Sequence, residues 1–317
     1  MCGDIPKSIS AMLEGAPTVW GHWGDDDELG ALNYLSPNDV MAAAQIVRQG
    51  KTFTLQAPMG SPEGDYIFPT RDQPKREMVR DKRDYESGGE KLPGDFKFAE
   101  DTLHTFLHGT THMDALGHAW CGRELYNGYS DDNTIEEMSR ASALPLAQRG
   151  VVARGVLLDV ARWRGRDLLE SGEVVTIDDV LACAKDQKVE LRPRDTLLLR
   201  TGRLGAYTGD ATIFDNLIEP GLVYSPELVD WFLNTKITGL VTDTICNEVA
   251  IDPATGALCT LHIALQRNLG VPFVECAALD ALAADCTSDG QYDFMYVAGP
   301  MKIVGSTAAP VNPVAIK

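Results

Sequence analysis

Four of the six histidines of this 317-residue chain lie close together, between His104 and His118. Three of them and one aspartate form the pattern His-x3-His-x-Asp-x3-His, called the histidine motif below, which consists of His108, His112, Asp114 and His118. Imidazole and carboxylate together suit a borderline divalent metal such as zinc, manganese or iron(II). The motif therefore predicts a metal site, in which one histidine can stay off the metal and transfer protons.

The spacing within the histidine motif argues against a helix. A helical zinc motif has a glutamate directly after the first histidine, whereas Gly109 occupies that position here. Glycine and the β-branched residues after it disfavour a helix, so we expect an extended segment. Alternate side chains of such a segment share a face, and all four motif residues have even numbers. We therefore expect them on one face, unless a turn at a glycine resets the alternation.

A metal site built on one segment rarely has enough ligands, so a second segment is needed. The candidates are His262, on a predicted helix, and Glu275, at the end of a predicted apolar strand. Asp243 and Glu248, which flank the tip of another predicted strand, are weaker candidates of the same type. The alternative is that all of these are ordinary helix and strand-end residues with no part in the site.

Signatures of other catalytic machineries are absent from the sequence. The chain has no Gly-x-Ser-x-Gly elbow, no phosphate-binding Gly-x4-Gly-Lys-Ser/Thr loop and no Gly-x-Gly-x-x-Gly after a strand. A cysteine–histidine nucleophile stays open because Cys121 follows His118 by three residues, although Cys121 is better explained as a pocket-wall cysteine. Metal-assisted chemistry is therefore favoured.

The composition, with 44% hydrophobic and 23% charged residues, is typical of a soluble globular protein. A formal net charge of −18 disfavours nucleic acid and anionic membranes as partners, since both require a basic surface. The seven cysteines are scattered without a Cys-x-x-Cys pair, which favours a reducing compartment. No signal peptide or membrane-length apolar stretch is visible. We therefore expect a cytoplasmic protein that acts on a small molecule.

Predicted strands and helices interleave, which favours an α/β fold with a mixed sheet, in a single domain over residues 1–317. The predicted strands are residues 52–57, 103–107, 151–160, 195–200, 238–243, 272–276 and 294–303, and the predicted helices are residues 36–49, 176–188, 225–233 and 261–269. An N-terminal arm covers about residues 1–20, and a Pro-rich tail follows the last strand.

Residues 61–101 are rich in charged residues, glycine and proline and poor in apolar ones. The simpler interpretation is a long solvated loop. The alternative is a lid over the site or an arm that clasps another subunit, because long loops inside compact domains are often functional.

These features resemble the cyclase family of metal-dependent hydrolases, which includes bacterial kynurenine formamidase and isatin hydrolase. The histidine motif matches the family motif completely. The other matching pieces extend the resemblance over nearly the whole chain, and they are residues 23–33 (WGDDDELGALN), 195–202 (DTLLLRTG), 239–244 (GLVTDT), His262 with Glu275, 300–303 and 310–316. The long segment 61–101 makes the chain more similar to the isatin-hydrolase-like branch than to a minimal formamidase.

The resemblance implies a swivelling β/β/α fold, assembled as a homodimer or homotetramer, with one or two divalent ions, zinc or manganese. The metal ligands that it implies are His108, His112, Asp114, His262 and Glu275. Asp114 would bridge the ions where two are present. His118 would be the general base or acid.

The predicted reaction is hydrolysis of an amide-type carbon–nitrogen bond by a metal-activated water, with ring opening of an isatin-, lactam- or imide-like compound as the leading form. Trp23, Trp120 and Tyr126 suit a flat aromatic substrate, and core packing explains them equally well. The alternatives are an arylformamidase acting on an N-formylkynurenine-like compound, a lactonase, and a non-catalytic metal- or ligand-binding protein on the same fold.

Overall fold

A mixed β-sheet organises the part of the chain that the computed structural model describes, namely residues 8–86, 92–207 and 218–317. The strands in those residues are β1 (Thr52–Thr54), β2 (Lys75–Arg80), β3 (Glu100–His104), β4 (His112–Asp114), β5 (Val151–Asp159), β6 (Val174–Val175), β7 (Thr196–Arg200), β8 (Gly221–Leu222), β9 (Gly239–Thr242), β10 (Phe273–Glu275), β11 (Asp293–Ala298), β12 (Ala308–Pro310) and β13 (Val314–Ile316). Nine of them form one sheet, in the order β1-β13-β11-β5-β7-β9-β10-β4-β12. The predicted α/β fold with a mixed sheet is confirmed.

The helices of the described residues are α1 (Ile9–Met12), α2 (Pro37–Ala44), α3 (Lys82–Glu86), α4 (Ala143–Arg149), α5 (Val160–Trp163), α6 (Ile177–Asp186), α7 (Pro226–Thr235), α8 (Asp280–Asp289) and a π-helix at His262–Arg267. Short 3-10 turns lie at Gly30–Tyr34, Pro93–Asp95, Tyr126–Gly128 and Asp131–Thr134. Among these described helices, none combines the length and the apolar character that crossing a bilayer would take. Sequence patterns predict neither α4 nor α8.

Parallel strands occupy the middle of the sheet. β5 pairs with β7, β7 with β9 and β9 with β10, all in parallel, while the flanking pairs are antiparallel. Parallel neighbours need a crossover between them, and α6, α7 and the π-helix follow β5, β7 and β9 in turn along the chain. Because helices and loops cover both faces of the sheet, the sequences of these strands are continuous apolar runs, such as TLLLR in β7.

Two of the predicted helix starts have the caps that their sequences indicate. Thr176 Oγ1 accepts a hydrogen bond from the backbone N–H of Asp179, and the Asp179 carboxylate accepts one from the backbone N–H of Thr176. Ser225 Oγ accepts from the backbone N–H of Leu228 at the start of α7. Such caps fix where α6 and α7 begin relative to the sheet.

The helix predicted for residues 36–49 is shorter in the structure, where α2 ends at Ala44. The backbone N–H groups that follow α2 form hydrogen bonds with a distant part of the chain. The N–H groups of Gln49 and Gly50 donate to the carbonyl of Lys317, at 3.1 and 2.7 Å, instead of closing further helical turns. The C-terminal strand thus decides where this helix stops.

The strand predicted for residues 294–303 is also too long, and the tail after it is not irregular. β11 ends at Ala298, and residues beyond Pro300 form two further strands, β12 and β13. Pro310 fits within β12 because β12 is an edge strand, so the missing N–H breaks no ladder. The predicted strand 52–57 is also shorter in the structure, where β1 ends at Thr54, and the N–H of Leu55 continues its register by donating to the carbonyl of Pro313.

Residues 61–101 are not simply a loop. β2 and β3 pair antiparallel as a two-stranded ribbon, and almost every residue of both strands is exposed. Residues 87–91, which come between β2 and β3 in the sequence, lie outside the described part of the chain, as do residues 1–7 of the N-terminal arm. The role of the ribbon as a lid or a subunit-clasping arm stays a prediction.

Candidate metal centre

Two neighbouring strands bring three of the predicted ligands together. His112 and Asp114 are alternate residues of β4, so their side chains leave the same face. β4 pairs antiparallel with β10, in a register that puts Glu275 directly opposite His112. His112 Nε2 consequently lies 3.3 Å from Asp114 Oδ1 and 3.3 Å from Glu275 Oε2. All three side chains are buried, so one imidazole and two carboxylates surround a point that solvent barely reaches.

The π-helix supplies a second imidazole to the same point. His262, its first residue, places Nε2 3.4 Å from Glu275 Oε1 and 3.8 Å from Asp114 Oδ2. A π-helical turn widens the local backbone and is frequent at functional sites. The prediction that His262 and Glu275 reach the histidine motif is therefore met in geometry, whatever their chemical roles.

Glu248 holds His262 from behind. Glu248 Oε1 lies 2.6 Å from His262 Nδ1, and the same carboxylate accepts the backbone N–H groups of Leu261 and His262 at 2.7 and 2.9 Å. When Nδ1 is protonated and donates a hydrogen bond to Glu248, Nε2 of the neutral ring is unprotonated and its lone pair faces Asp114 and Glu275. Glu248, which the sequence suggested as a weak ligand candidate, is thus the hydrogen-bond partner of His262.

Replacing Glu248 with glutamine is expected to weaken zinc or manganese binding about 10- to 100-fold, as is typical when the group orienting a ligand is lost. Glutamine has nearly the same shape but no charge, and it can turn its NH2 group towards Nδ1. Competition titration against a chelator would measure the affinity. Glu227→Gln, at an exposed position of α7, is the matched control. Equal affinity of Glu248→Gln and the native chain would contradict the orienting role.

The loops on either side of β4 place His108 and His118 side by side. His108 Nε2 lies 3.0 Å from His118 Nδ1 and 3.4 Å from Asp114 Oδ1. β4 contains only three residues, so the expected alternation holds for His112 and Asp114 alone. The alternation does not extend to His108, because a turn intervenes in which the N–H of Gly109 donates to the carbonyl of Phe106. The four motif residues still converge, but loops as well as strand geometry bring them together.

The six converging side chains, called the site cluster below, are His108, His112, Asp114, His118, His262 and Glu275. The cluster opens to solvent on one side. The side chain of His108 is 10% exposed, against 1% for His112 and Asp114, and His118 is also partly exposed. A small molecule would therefore approach past His108 and His118.

Burial and charge act in opposite directions within the site cluster. Burial by itself would lower the pKa of His112, but the carboxylates of Asp114 and Glu275 raise it to about 9. Burial would raise the pKa of Asp114, yet the neighbouring histidines hold it below its ordinary value. At the open side, burial and the neighbouring His118 lower the pKa of His108 to about 2. The cluster therefore keeps two buried carboxylates ionised, and these are charges that a divalent cation offsets.

The polar atoms of the site cluster fit a metal ion. His112 Nε2 and both carboxylate oxygens of Asp114 are buried without a hydrogen-bond partner. Such atoms are rare in native proteins, because each costs about 1–3 kcal/mol. Ligand atoms about 2.0–2.2 Å from one zinc ion in a tetrahedron are about 3.4 Å apart. The distances of 3.3–3.8 Å between ligand atoms of neighbouring side chains in the cluster match that spacing.

Two further contacts support the site cluster and could not be foreseen as site residues. The carbonyl of Thr110 lies 2.7 Å from His112 Nδ1, which directs Nε2 into the cluster, and Asn247 Nδ2 donates to Glu275 Oε1 at 3.4 Å. A carbonyl acceptor leaves no signal in the sequence because every residue has one. For Asn247, the only signal is its position next to Glu248.

Four residues beside the cluster ligands have left-handed backbone conformations that non-glycine residues seldom adopt. They are Thr110, Asn247, Cys259 and Cys276, with φ of 39°, 55°, 51° and 53°. Each such residue costs on the order of 1–3 kcal/mol, and such strain is often found at functional sites. The backbone around the cluster is thus held in place by the surrounding fold rather than by local preference.

The three aromatic residues predicted to contact a substrate, Trp23, Trp120 and Tyr126, differ in how far they are buried. Tyr126 is fully buried in the main core and donates its hydroxyl to Asp27, at 2.6 Å, so it has no surface left for a substrate. This corrects its prediction as a pocket residue. Trp23 packs edge-on against Tyr34, with ring centroids 4.9 Å apart, and Trp120 is 41% exposed. A substrate contact by Trp23 or Trp120 stays a prediction.

Comparisons with known proteins find one matching family profile and several similar solved structures. A family profile described as "Putative cyclase" matches residues 23–249. One solved structure, described as a novel cyclase, superposes with a TM-score of 0.86 at 33% identity, covering 95% of this chain and all of that one. No curated protein matches in sequence.

Two isatin hydrolase structures share the fold at lower identity. One is bound to the product analogue thioisatinate and has a TM-score of 0.60 at 18% identity, covering 89% of this chain and 98% of its own. The other, isatin hydrolase A from Labrenzia aggregata bound to benzyl benzoate, has a TM-score of 0.58 at 19% identity, covering 88% and 99%. At these identities the likeness concerns the fold.

Proposed function

This chain belongs to the cyclase family, and from that premise we propose that it is a metal-dependent hydrolase of an amide-type carbon–nitrogen bond in a small cyclic or aromatic compound. Ring opening of an isatin-, lactam- or imide-like substrate is the form of the reaction that we favour. The fold shared with two isatin hydrolases supports this choice of substrate class.

The observation that carries the proposal is the convergence of buried, unpartnered ligand atoms next to a histidine on the open side. His112 Nε2 and both oxygens of Asp114 have no hydrogen-bond partner, although burial makes this costly. His118 lies on the solvent side of these atoms, beside His108. A merely structural cluster would satisfy its buried atoms internally and would not need an approach from solvent.

The residues that would hold the metal are His108, His112, Asp114, His262 and Glu275. Three imidazoles and two carboxylates are a donor set that suits zinc or manganese, as one ion or as two ions that share Asp114. When bound, such an ion polarises the scissile carbonyl and lowers the pKa of a water towards 7. Glu248 and the carbonyl of Thr110 keep His262 and His112 oriented for that task.

His118 carries the proton in this scheme. It takes a proton from the attacking water as the water oxygen bonds to the carbonyl carbon, and it returns the proton to the nitrogen as the carbon–nitrogen bond breaks. The products are an amine and a carboxylic acid, which loses its remaining proton to solvent near pH 7, and the two stay joined if the substrate was a ring. Burial lowers the pKa of His118. It is therefore neutral near pH 7 and ready to accept a proton.

Chelation is expected to abolish hydrolysis, and added zinc or manganese to restore it. Isatin, N-formylkynurenine, lactams and lactones are the substrates to test, with product formation followed by absorbance. Magnesium is the matched control, because it prefers all-oxygen sites and should not restore turnover. The proposal fails if the purified chain contains no stoichiometric zinc, manganese or iron and added metal neither binds nor activates it.

A further inference from the structure

Arg71 stands at the open side of the site cluster. Its Nη1 donates to the carbonyl of His108 at 2.6 Å, and its side chain is partly exposed. The guanidinium carbon lies 5.0 Å from the centre of the Phe68 ring, and the backbone N–H of Arg71 donates to the carbonyl of Phe68. One turn therefore presents a cation and an aromatic ring where a small molecule would enter.

In the part of the chain that the structure describes, no carboxylate pairs with Arg71. Within the described residues no Asp or Glu lies within 4.0 Å of its guanidinium, in a chain with 46 acidic and 28 basic residues. By contrast, Arg154, Arg164 and Arg200 each contact two carboxylates. A guanidinium has five N–H donors in a planar fork that fits a carboxylate with two parallel hydrogen bonds. One donor of Arg71 is used for His108, which leaves the fork available to an anion.

The wall behind Arg71 is apolar and continuous with the site cluster. Phe68 packs against a small core cluster that includes Tyr66, Cys246 and Cys276. Cys276 directly follows Glu275, so this apolar wall begins next to a predicted metal ligand. An aromatic or cyclic molecule lying along this wall would have its reacting end at the cluster and its other end near Arg71.

We propose that Arg71 and Phe68 form an anion-binding subsite, and that the substrate is a cyclic or aromatic amide that carries a carboxylate. The reaction assumed here is that of the proposed function, and the subsite adds the substrate class. A local cation is needed for such a substrate, because the net charge of −18 otherwise repels anions. Arg71 is thus a specificity-determining residue, separate from the metal ligands and from His118.

Calorimetric titration with benzoate and its neutral analogue benzamide tests the subsite. The full chain is titrated as purified and again after metal removal, so that binding of benzoate to the metal itself is separated from binding at Arg71. The native chain should bind benzoate more tightly than benzamide. Arg71→Gln should weaken benzoate binding about tenfold or more, because a charge-assisted pair is lost, and should leave benzamide unchanged. The affinity of Arg71→Lys for benzoate should lie between those of the native chain and Arg71→Gln.

The matched control is Arg123→Gln, which removes one positive charge from an exposed side chain that pairs with Asp131 and Asp132. It should bind both ligands like the native chain. Three outcomes overturn the proposal: no preference for benzoate in the native chain, unchanged benzoate binding in Arg71→Gln, or an equal loss for both ligands. The last outcome would mean that Arg71 only holds the His108 loop.

The titration needs no turnover, so it fails or succeeds independently of the hydrolase assignment. Benzoate preference without any hydrolytic activity would keep the subsite and reject the reaction. Hydrolysis without benzoate preference would keep the reaction and reject the subsite.

Discussion

Replacing Asp114 with asparagine is expected to empty the metal site and to reduce hydrolysis by about a thousandfold or more, beyond the 10- to 100-fold typical of residues that only orient a ligand. Among the side chains of residues 8–86, 92–207 and 218–317, Asp114 alone contacts three imidazoles, those of His108, His112 and His262. Asparagine preserves its volume but removes the negative charge and one of the two anionic oxygens. The remaining ligands would then face one another without the group that joins them.

Elemental analysis of the purified variant measures the metal, and turnover is measured with zinc and manganese added in excess. Asp132→Asn, a change of the same kind at an exposed position, should alter neither quantity. A variant of Asp114 that keeps a full complement of metal would show that the ion lies elsewhere and would remove the basis of the assignment.

Replacing His118 with alanine should lower turnover by about a hundredfold to ten-thousandfold, the usual range for loss of a general acid–base group. The metal content should stay at the native level, because the five other members of the site cluster remain. Turnover and metal content together separate the two roles, because loss of a ligand lowers both quantities and loss of the proton carrier lowers turnover alone.

His104→Ala is the matched control for His118→Ala, because His104 is an exposed histidine of β3. Native turnover and native metal content are expected. Loss of metal in His118→Ala would reassign His118 as a ligand, and unchanged turnover would require another residue to move the proton.

Residue types and spacing were enough to single out His108, His112, Asp114 and His118 as a group, and alternation along an extended segment explains why His112 and Asp114 share a face. Residue type made His262 and Glu275 only candidates beside Asp243 and Glu248, and the family resemblance singled them out. The distances could not follow from the sequence, because they depend on the pairing of β4 with β10.

The supporting residues were harder to predict for a physical reason. Glu248 contacts His262 because the π-helix begins at that residue, and the widened turn is not visible as a sequence period. The carbonyl of Thr110 is directed by an unusual backbone angle, which residue type does not determine. Arg71 reaches the site through the fold from a segment whose composition favoured a solvated loop over a lid or an arm.

The fold was predictable where local patterns are strong and less so where distant backbone groups compete. The helices predicted at residues 176–188 and 225–233 are confirmed as α6 and α7, although α6 ends at Asp186 and α7 continues to Thr235. The end of α2 depends on the carbonyl of Lys317, and the two strands of the tail depend on edges offered by β1, β4 and β11. Long-range partners of this kind leave no periodic signal.

The pairing of β4 with β10 also limits the order in which the molecule can fold. Beside the site, Thr111 donates to the carbonyl of Cys276, a contact between residues 165 positions apart in the chain. Contacts over such separations form late, because closing long loops costs entropy before any contact repays it. We therefore expect the ligands to meet late in folding, when most of the sheet has formed. A metal ion is then expected to stabilise the finished molecule against unfolding rather than to nucleate it, because it binds only the native state.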